Sequence, residues 1–182
     1  NLTAYNYENN TLTDLILALS DLNVRIRLGS LEENIITDEF LTALKNLKDF
    51  APHFHLSLQS GCNETLKRMN RKYTAEEYYD VCVKLRKYFD EPALTTDVIV
   101  GFAGETEEEF AQCKAFLEKV EFFETHVFKF SIRKGTRAAK MENQVTDQVK
   151  TKRSNELLAL HAVNSVKYLE KHFGKDLEVL ME

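Results

Sequence analysis

The residues Leu94 to Phe110, LTTDVIVGFAGETEEEF, have the types and order of a ligand site built where a strand gives way to a helix. Thr96, Val98, Val100 and Phe102 supply a β-branched and aromatic face, while Gly101 and Gly104 allow a tight turn or a close approach of backbone to ligand. Thr106 and Glu109 form a T-x-x-E capping box, which predicts a helix starting at the turn with its first amides directed at the site. Asp97 is the exception in this run. A carboxylate in a strand covered on both faces requires a partner or a wet cavity.

Two other segments place polar groups on the same kind of face. In FHLSLQS, Phe54, Leu56 and Leu58 alternate against His53, His55, Ser57 and Gln59; in RIRLGS, Ile26 and Leu28 alternate against Arg25 and Arg27. An isolated buried polar group costs about 1–3 kcal/mol, so several on neighbouring strands imply a satisfied network, a solvated lumen or a ligand. One structural solution is an Arg27 to Asp97 ion pair that only orders the sheet. His53 and His55 share a face, but no third protein ligand accompanies them, so the sequence predicts no metal site. Nucleotide-loop and nucleophile-elbow motifs are absent, which removes kinase and hydrolase readings.

The elements that position these groups alternate along the chain. Leu12, Leu15, Ile16, Leu19 and Leu22 predict a helix, Val24 to Ser30 a strand, Phe40, Leu41, Leu44 and Leu47 a helix, and Phe54 to Ser60 a strand. Thr74 and Glu77 cap a helix with Tyr78, Val81, Cys82, Leu85 and Tyr88; after the Asp97 strand comes a helix with Phe110, Cys113, Leu117 and Val120. Thr125 to Ser131 reads as a fourth strand. A long helix with Leu157, Leu160, Val163 and Val166 is expected to close near Gly174 as C-cap, and Leu177 to Met181 to begin another strand. Strand centres about 30 to 40 residues apart favour crossover helices and a parallel sheet, part of a barrel or an open sheet. No repeat, linker or low-complexity tract marks an internal boundary. The chain starts at Asn1 without an initiator methionine and with no full strand before the first helix, which reads as a piece of a larger protein.

With 182 residues and 43% apolar composition, the chain can bury a core and is expected to be one ordered unit. It has no long apolar run or signal-peptide pattern, and a cytoplasmic location is expected. Its cysteines, Cys62, Cys82 and Cys113, are widely spaced and odd in number, against a disulfide framework or a C-x-x-C metal site, and Cys82 and Cys113 fit core positions. The net charge of −5 argues against bulk electrostatic binding to nucleic acid, yet KRMNRK at Lys67 to Lys72 and KFSIRKGTRAAK at Lys129 to Lys140 hold nine of the 24 Lys and Arg residues and no acid. On parallel strands both basic segments fall on one rim, where an anionic substrate is expected; singly, each could equally be a solvated loop.

Taken together, RIRLGSLEE at Arg25 to Glu33, HFHLSLQSGCNETLKRMNRKYT at His53 to Thr74, DVIVGFAGETEEEF at Asp97 to Phe110 and FSIRKGTRAAKM at Phe130 to Met141 resemble the radical S-adenosylmethionine methylthiotransferases. RIRLGSLE and HFHLSLQSG look most like the branch that modifies threonylcarbamoyladenosine at position 37, beside the tRNA anticodon. The resemblance implies an α/β fold, a partial parallel (β/α) barrel with its site at the strand C-terminal ends. Residues 1–174 would form the later part of that barrel, and residues 175–182 would begin an RNA-binding β-domain of the TRAM type. It also implies that Ser30, Glu32, Gln59 and Asp97 make polar contacts to S-adenosylmethionine, with Arg71 at its carboxylate. Ser60 would end the strand facing the pocket, Ile99, Gly101, Gly104 and Glu105 would shape the adenosine pocket, and Phe128 and Phe130 would lie alongside. Lys67, Arg68, Lys72, Arg133, Lys134 and Arg137 would meet the tRNA backbone.

In that family a reduced [4Fe–4S] cluster and S-adenosylmethionine supply radical chemistry for sulfur insertion, and the protein binds and orients. The C-x-x-x-C-x-x-C loop holding that cluster is missing from these 182 residues, so the isolated chain is expected to be inactive. Ala103 and Lys129 stand where the family often has proline. The alternatives are a methylthiotransferase for isopentenyladenosine tRNA or a ribosomal protein, a cluster-free barrel enzyme using Asp97, His55 and Arg27 in acid/base chemistry, and a noncatalytic RNA-binding module.

Overall fold

Capping boxes fix where three of the helices begin. In the computed structural model, which describes residues 2–177, α1 (Leu12–Ala18), α4 (Ala75–Tyr88) and α5 (Glu107–Val120) each start with a threonine that accepts from the N3 amide, while the N3 carboxylate takes the threonine's own amide. The box of α1, Thr11 with Asp14, was not anticipated. Thr37 and Thr146 cap α2 (Asp38–Lys45) and α6 (Asp147–Glu170) in the simpler way.

A parallel four-stranded sheet carries the site, in the order β4 (Ser30–Leu31), β6 (His53–Leu56), β7 (Ala93–Val100), β8 (Glu124–Lys129). A second parallel pair joins β3 (Arg25–Ile26) to β5 (Asp49–Phe50), and a short antiparallel hairpin, β1 (Asn6–Tyr7) with β2 (Asn10–Thr11), precedes α1. Phe54, Leu56, Leu58, Leu94, Val98 and Val100 turn toward the helices and join the buried core with Phe40, Tyr78, Leu85 and Phe110. Burying each such side chain contributes about 1.5–3 kcal/mol. Tyr78, fully buried in α4, donates its hydroxyl to the Leu56 carbonyl at 2.8 Å, so this contact is satisfied as well as apolar.

Several boundaries depart from the sequence expectation. The Val24 to Ser30 strand is two short pieces, because Arg25 leaves the main sheet to bind Asp49 across β5 while Ser30 pairs with His55. The Phe54 to Ser60 strand stops at Leu56: Gln59 has φ of 70°, a left-handed conformation that bends the chain before one last bridge to Val98. The following α3 (Asn63–Arg68) was not foreseen, since it offers only Leu66 as a large buried apolar group. The long helix α6 ends at Glu170 with Lys171 as C-cap, and Gly174, at φ 75°, lies beyond it. Of the strand expected at Leu177 to Met181, residues 178–182 lie outside the described residues, and Lys175 to Leu177 have no regular structure. No helix among the described residues is long and apolar enough to cross a membrane.

Candidate functional site

Alternation along the parallel strands puts the polar face where the helices are not. Arg27, His53, His55, Thr95, Asp97 and His126 line one concavity of about 330 Å³ with Glu124 and Ser30 at its margins. The groups are joined. Arg27 Nε donates to His53 Nδ1 at 3.2 Å, the Thr95 hydroxyl stands 3.3 Å from His53 Nε2 and 2.9 Å from His55 Nδ1, and His55 Nε2 lies 3.3 Å from Asp97 Oδ2. Burial and then the Arg27 charge push the His53 imidazolium below its ordinary range, so His53 favours the neutral state. The Arg27 to Asp97 pair, one of the solutions open in sequence, is not the one found: Arg27 serves His53, and His55 takes Asp97.

Above this concavity, at the strand C-terminal ends, the lumen widens into a cleft of about 600 Å³. Gln59, Asp97, Ile99, Phe128 and Phe130 line it, with Arg133 at its mouth. Gln59 is fixed by its backbone, donating its N–H to the Asp97 carbonyl at 2.8 Å and accepting from Ile99 N–H at 2.9 Å. Tyr73 secures the same bend, its hydroxyl within 2.9 Å of the Ser57 carbonyl and 2.8 Å of that of Leu58, and burial pushes its phenol well above the usual range. A neighbouring groove runs past Ser30, Glu32, Gln59, Arg71 and Lys72, and another joins Arg71 to Ile99 and Arg137.

The glycine turn is held from behind. Gly101, at φ 72°, donates its N–H to Glu105 Oε2 at 2.6 Å, and Glu105 is gripped by Arg153 of α6 at 2.7 Å with both side chains almost fully buried. Burial pushes the Glu105 carboxyl above the usual range, with the Gly101 amide and Arg153 opposing that shift. A Cβ on Gly101 would sit 2.3 Å from Lys150 Cγ, so α6 packs where any other residue would intrude. At the start of α5 the capping box occupies the Thr106 and Glu109 amides, and Glu105 occupies that of Gly101 in the turn before it.

Ser30, Glu32, Gln59, Arg71, Asp97, Ile99, Phe128 and Phe130 meet on this rim, whereas Gly101, Gly104 and Glu105 form the turn behind it and line none of these clefts. Ser60 is fully buried and its hydroxyl accepts from the Cys62 amide at 3.2 Å, so it supports the bend from beneath the cleft. Arg68 is committed internally, to Glu109 at 2.8 Å through Nη1 and to the Ala103 carbonyl at 3.2 Å through Nε. Lys67, Lys72, Arg133, Lys134 and Arg137 are exposed, and of these Lys72, Arg133 and Arg137 line the clefts. Thr95, His126, Tyr73 and Arg153 are the participants that sequence reading passed over. His126 carried the clearest signal, two positions before Phe128 on the alternating face of β8.

The cysteines do not fit an iron–sulfur cluster. Cys62, Cys82 and Cys113 are all buried, the Cys113 sulfur accepts from Gly61 N–H at 3.1 Å, and the Cys62 thiol lies 3.3 Å from Gln112 Oε1. Burial pushes the Cys82 thiol up to about 12 and that of Cys113 up to about 11, the reverse of what thiolate ligation needs. The cleft does fit an adenosine-bearing zwitterion, with Ile99, Phe128 and Phe130 as apolar walls and Gln59, Asp97 and Arg71 as polar groups around them.

A parallel half-barrel with a polar lumen opening at its strand C-terminal ends defines a class of (β/α) enzyme fold. A model of the Radical SAM superfamily matches residues 5–117, and the chain belongs to that superfamily. It is 44% identical over 158 residues to the threonylcarbamoyladenosine tRNA methylthiotransferase MtaB of Bacillus subtilis (strain 168), covering 87% of this chain and 35% of that protein. It is 40% identical over 177 residues to the tRNA-2-methylthio-N(6)-dimethylallyladenosine synthase of Thermoanaerobacter sp. (strain X514), covering 96% of this chain and 38% of that one. The chain thus spans somewhat over a third of the length of these relatives. Among solved structures, coproporphyrinogen III oxidase (HemN) from Escherichia coli, a radical SAM enzyme, shares the fold with a TM-score of 0.61 at 19% identity, over 80% of this chain and 33% of that one.

Proposed function

We propose that this chain is the later part of the radical SAM domain of a tRNA methylthiotransferase that adds a methylthio group to C2 of threonylcarbamoyladenosine 37. The observation that carries the reading is the 44% identity to MtaB over 158 residues, which includes every segment lining the cleft between Arg25 and Phe130 by their motif resemblance. A [4Fe–4S] cluster and S-adenosylmethionine supply the radical chemistry in this reading; the chain's own residues bind and orient. Gln59 and Asp97 meet the polar atoms of S-adenosylmethionine, with Ser30 and Glu32 on the groove beside them and Arg71 at the carboxylate. Ile99, Phe128 and Phe130 hold the adenine, and the Gly101 and Gly104 turn sets the height of that wall. Lys67, Lys72, Arg133, Lys134 and Arg137 receive the tRNA phosphates around the cleft, with Arg68 bracing the turn. The cluster loop is contributed outside these 182 residues, so the isolated chain does not turn over.

Identity alone does not separate the two tRNA substrates, since both kinds of relative reach 40% or more. The test is a reconstituted reaction of the full-length gene product with tRNA carrying either threonylcarbamoyladenosine or dimethylallyladenosine. Methylthiolation of the former alone supports the proposal; methylthiolation of the latter alone, or of neither, overturns it.

A further inference from the structure

The lower concavity of the half-barrel holds three side chains of which the S-adenosylmethionine reading uses only Asp97, at the border with the cleft above. One comes from each of three adjacent strands: His55 from β6, Asp97 from β7 and His126 from β8. Each offers one ligand atom, and these atoms all lie within 4.8 Å of one another. We propose that His55, Asp97 and His126 form a binding site for a divalent first-row metal ion of the zinc type, a site separate from any iron–sulfur cluster.

The donor set is the first argument. Two imidazoles and a carboxylate are the ligands that zinc, cobalt and ferrous iron take in sites that keep an open position for water or substrate. Hard oxygen-seeking ions such as calcium have too few oxygens here.

Spacing is the second argument. His55 Nε2 and Asp97 Oδ2 stand 3.3 Å apart, close to the roughly 3.4 Å edge of a tetrahedron with metal bonds of about 2.0–2.1 Å. His126 keeps its ligand atom within 4.8 Å of the other two and is exposed, its ring 5.6 Å from that of His55, so metal binding would draw it inward by a change of side-chain torsion. All three backbones are held by register: His55 pairs with Thr95, and Asp97 with His126.

The hydrogen bonds behind the ligands supply the third. Arg27 is always a donor, so its bond to His53 Nδ1 leaves that ring's proton on Nε2, facing Thr95. The Thr95 hydroxyl oxygen accepts there, and its second lone pair accepts from His55 Nδ1–H at 2.9 Å in the ligating tautomer, which leaves the His55 Nε2 lone pair turned to Asp97 and the cavity. A ligating histidine fastened through its other nitrogen is the arrangement that orients metal ligands, and Arg27, His53 and Thr95 provide it without entering the coordination sphere. Sequence predicts no metal site, because alternation along one strand shows only His53 and His55; the network makes His53 a support, and Asp97 and His126 on the neighbouring strands complete the trio.

The test is calorimetric titration of the untagged 182-residue chain with zinc chloride, paired with cobalt chloride read by its visible ligand-field bands. The expected result is saturable one-to-one binding with the bands of four- or five-coordinate cobalt. His126→Ala, at an exposed position that leaves the core intact, weakens zinc by about tenfold or more, Asp97→Asn does the same, Thr95→Val weakens it by about 10–100-fold through the freed His55 ring, and His172→Ala changes nothing. Absence of saturable binding, or binding that survives His126→Ala and Asp97→Asn, would overturn the site. Because the readout is metal binding by the chain itself, it stands or falls separately from the tRNA reaction.

Discussion

Gly101 lacks a side chain because Lys150 occupies its place. With φ at 72° and only 2.3 Å available to a Cβ, Gly101→Ala combines backbone strain with a forced retreat of a buried lysine. The expected cost is about 1–3 kcal/mol, read as a lower urea midpoint with an unchanged slope. The cysteines give a second prediction at this scale. Burial holds the Cys82 and Cys113 thiols up near 12 and 11, and Cys62 is buried too, so none of the three reacts with a thiol-specific disulfide reagent at pH 8 until the chain is unfolded. Rapid labelling of the native chain would contradict it. Single residues were partly legible in the sequence: alternation identified His53, His55 and Asp97 as facing inward, since a strand's side-chain period is fixed. Which inward groups pair was not legible, because partners are set by register between strands, and Arg27 went to His53 instead of Asp97.

Helix α6 acts on the glycine turn as a clamp. Arg153 reaches the Glu105 carboxylate at 2.7 Å and its carbonyl at 3.1 Å, and continues to Glu107 at 2.9 Å. Arg153→Met leaves Glu105 buried without its cation and should cost about 3–5 kcal/mol at neutral pH. That loss should shrink in acid, because Glu105, whose carboxyl is already pushed up by burial, then folds in its neutral form. In a second clamp the carboxyl is shifted the opposite way, downward. The Arg68 hydrogen bonds hold the Glu109 carboxyl below its ordinary value, so their stabilisation is present above that value and is lost as pH falls through the lowered one. Arg68→Met should therefore flatten the acid limb of stability against pH; an unchanged limb would count against the pairing. Elements with capping boxes were readable from sequence because Thr-x-x-Glu is a local signal. The split of the first strand and the bend at Gln59 were not, since both follow from tertiary pairing with Asp49 and Val98.

For the molecule as a whole, the sheet sorts its residues into two faces. Helices cover the apolar one, and the polar one becomes a lumen that deepens from the cleft by Phe128 and Phe130 down to the histidines. Crossover spacing made a parallel sheet visible in sequence, the family resemblance made it a partial barrel, and strand alternation announced inward polar groups; which of them face one another across the lower concavity was not visible, because that needs three strands side by side. The reading of the rim as the substrate face of a tRNA methylthiotransferase rests on that arrangement and on likeness to MtaB. Its most direct measurement is nucleoside mass spectrometry of tRNA from cells in which the gene encoding this chain is deleted, before and after the intact gene is returned. The account predicts loss of 2-methylthio-threonylcarbamoyladenosine with accumulation of unthiolated threonylcarbamoyladenosine, reversed by the gene. An unchanged level of the methylthiolated nucleoside in the deletion would contradict it.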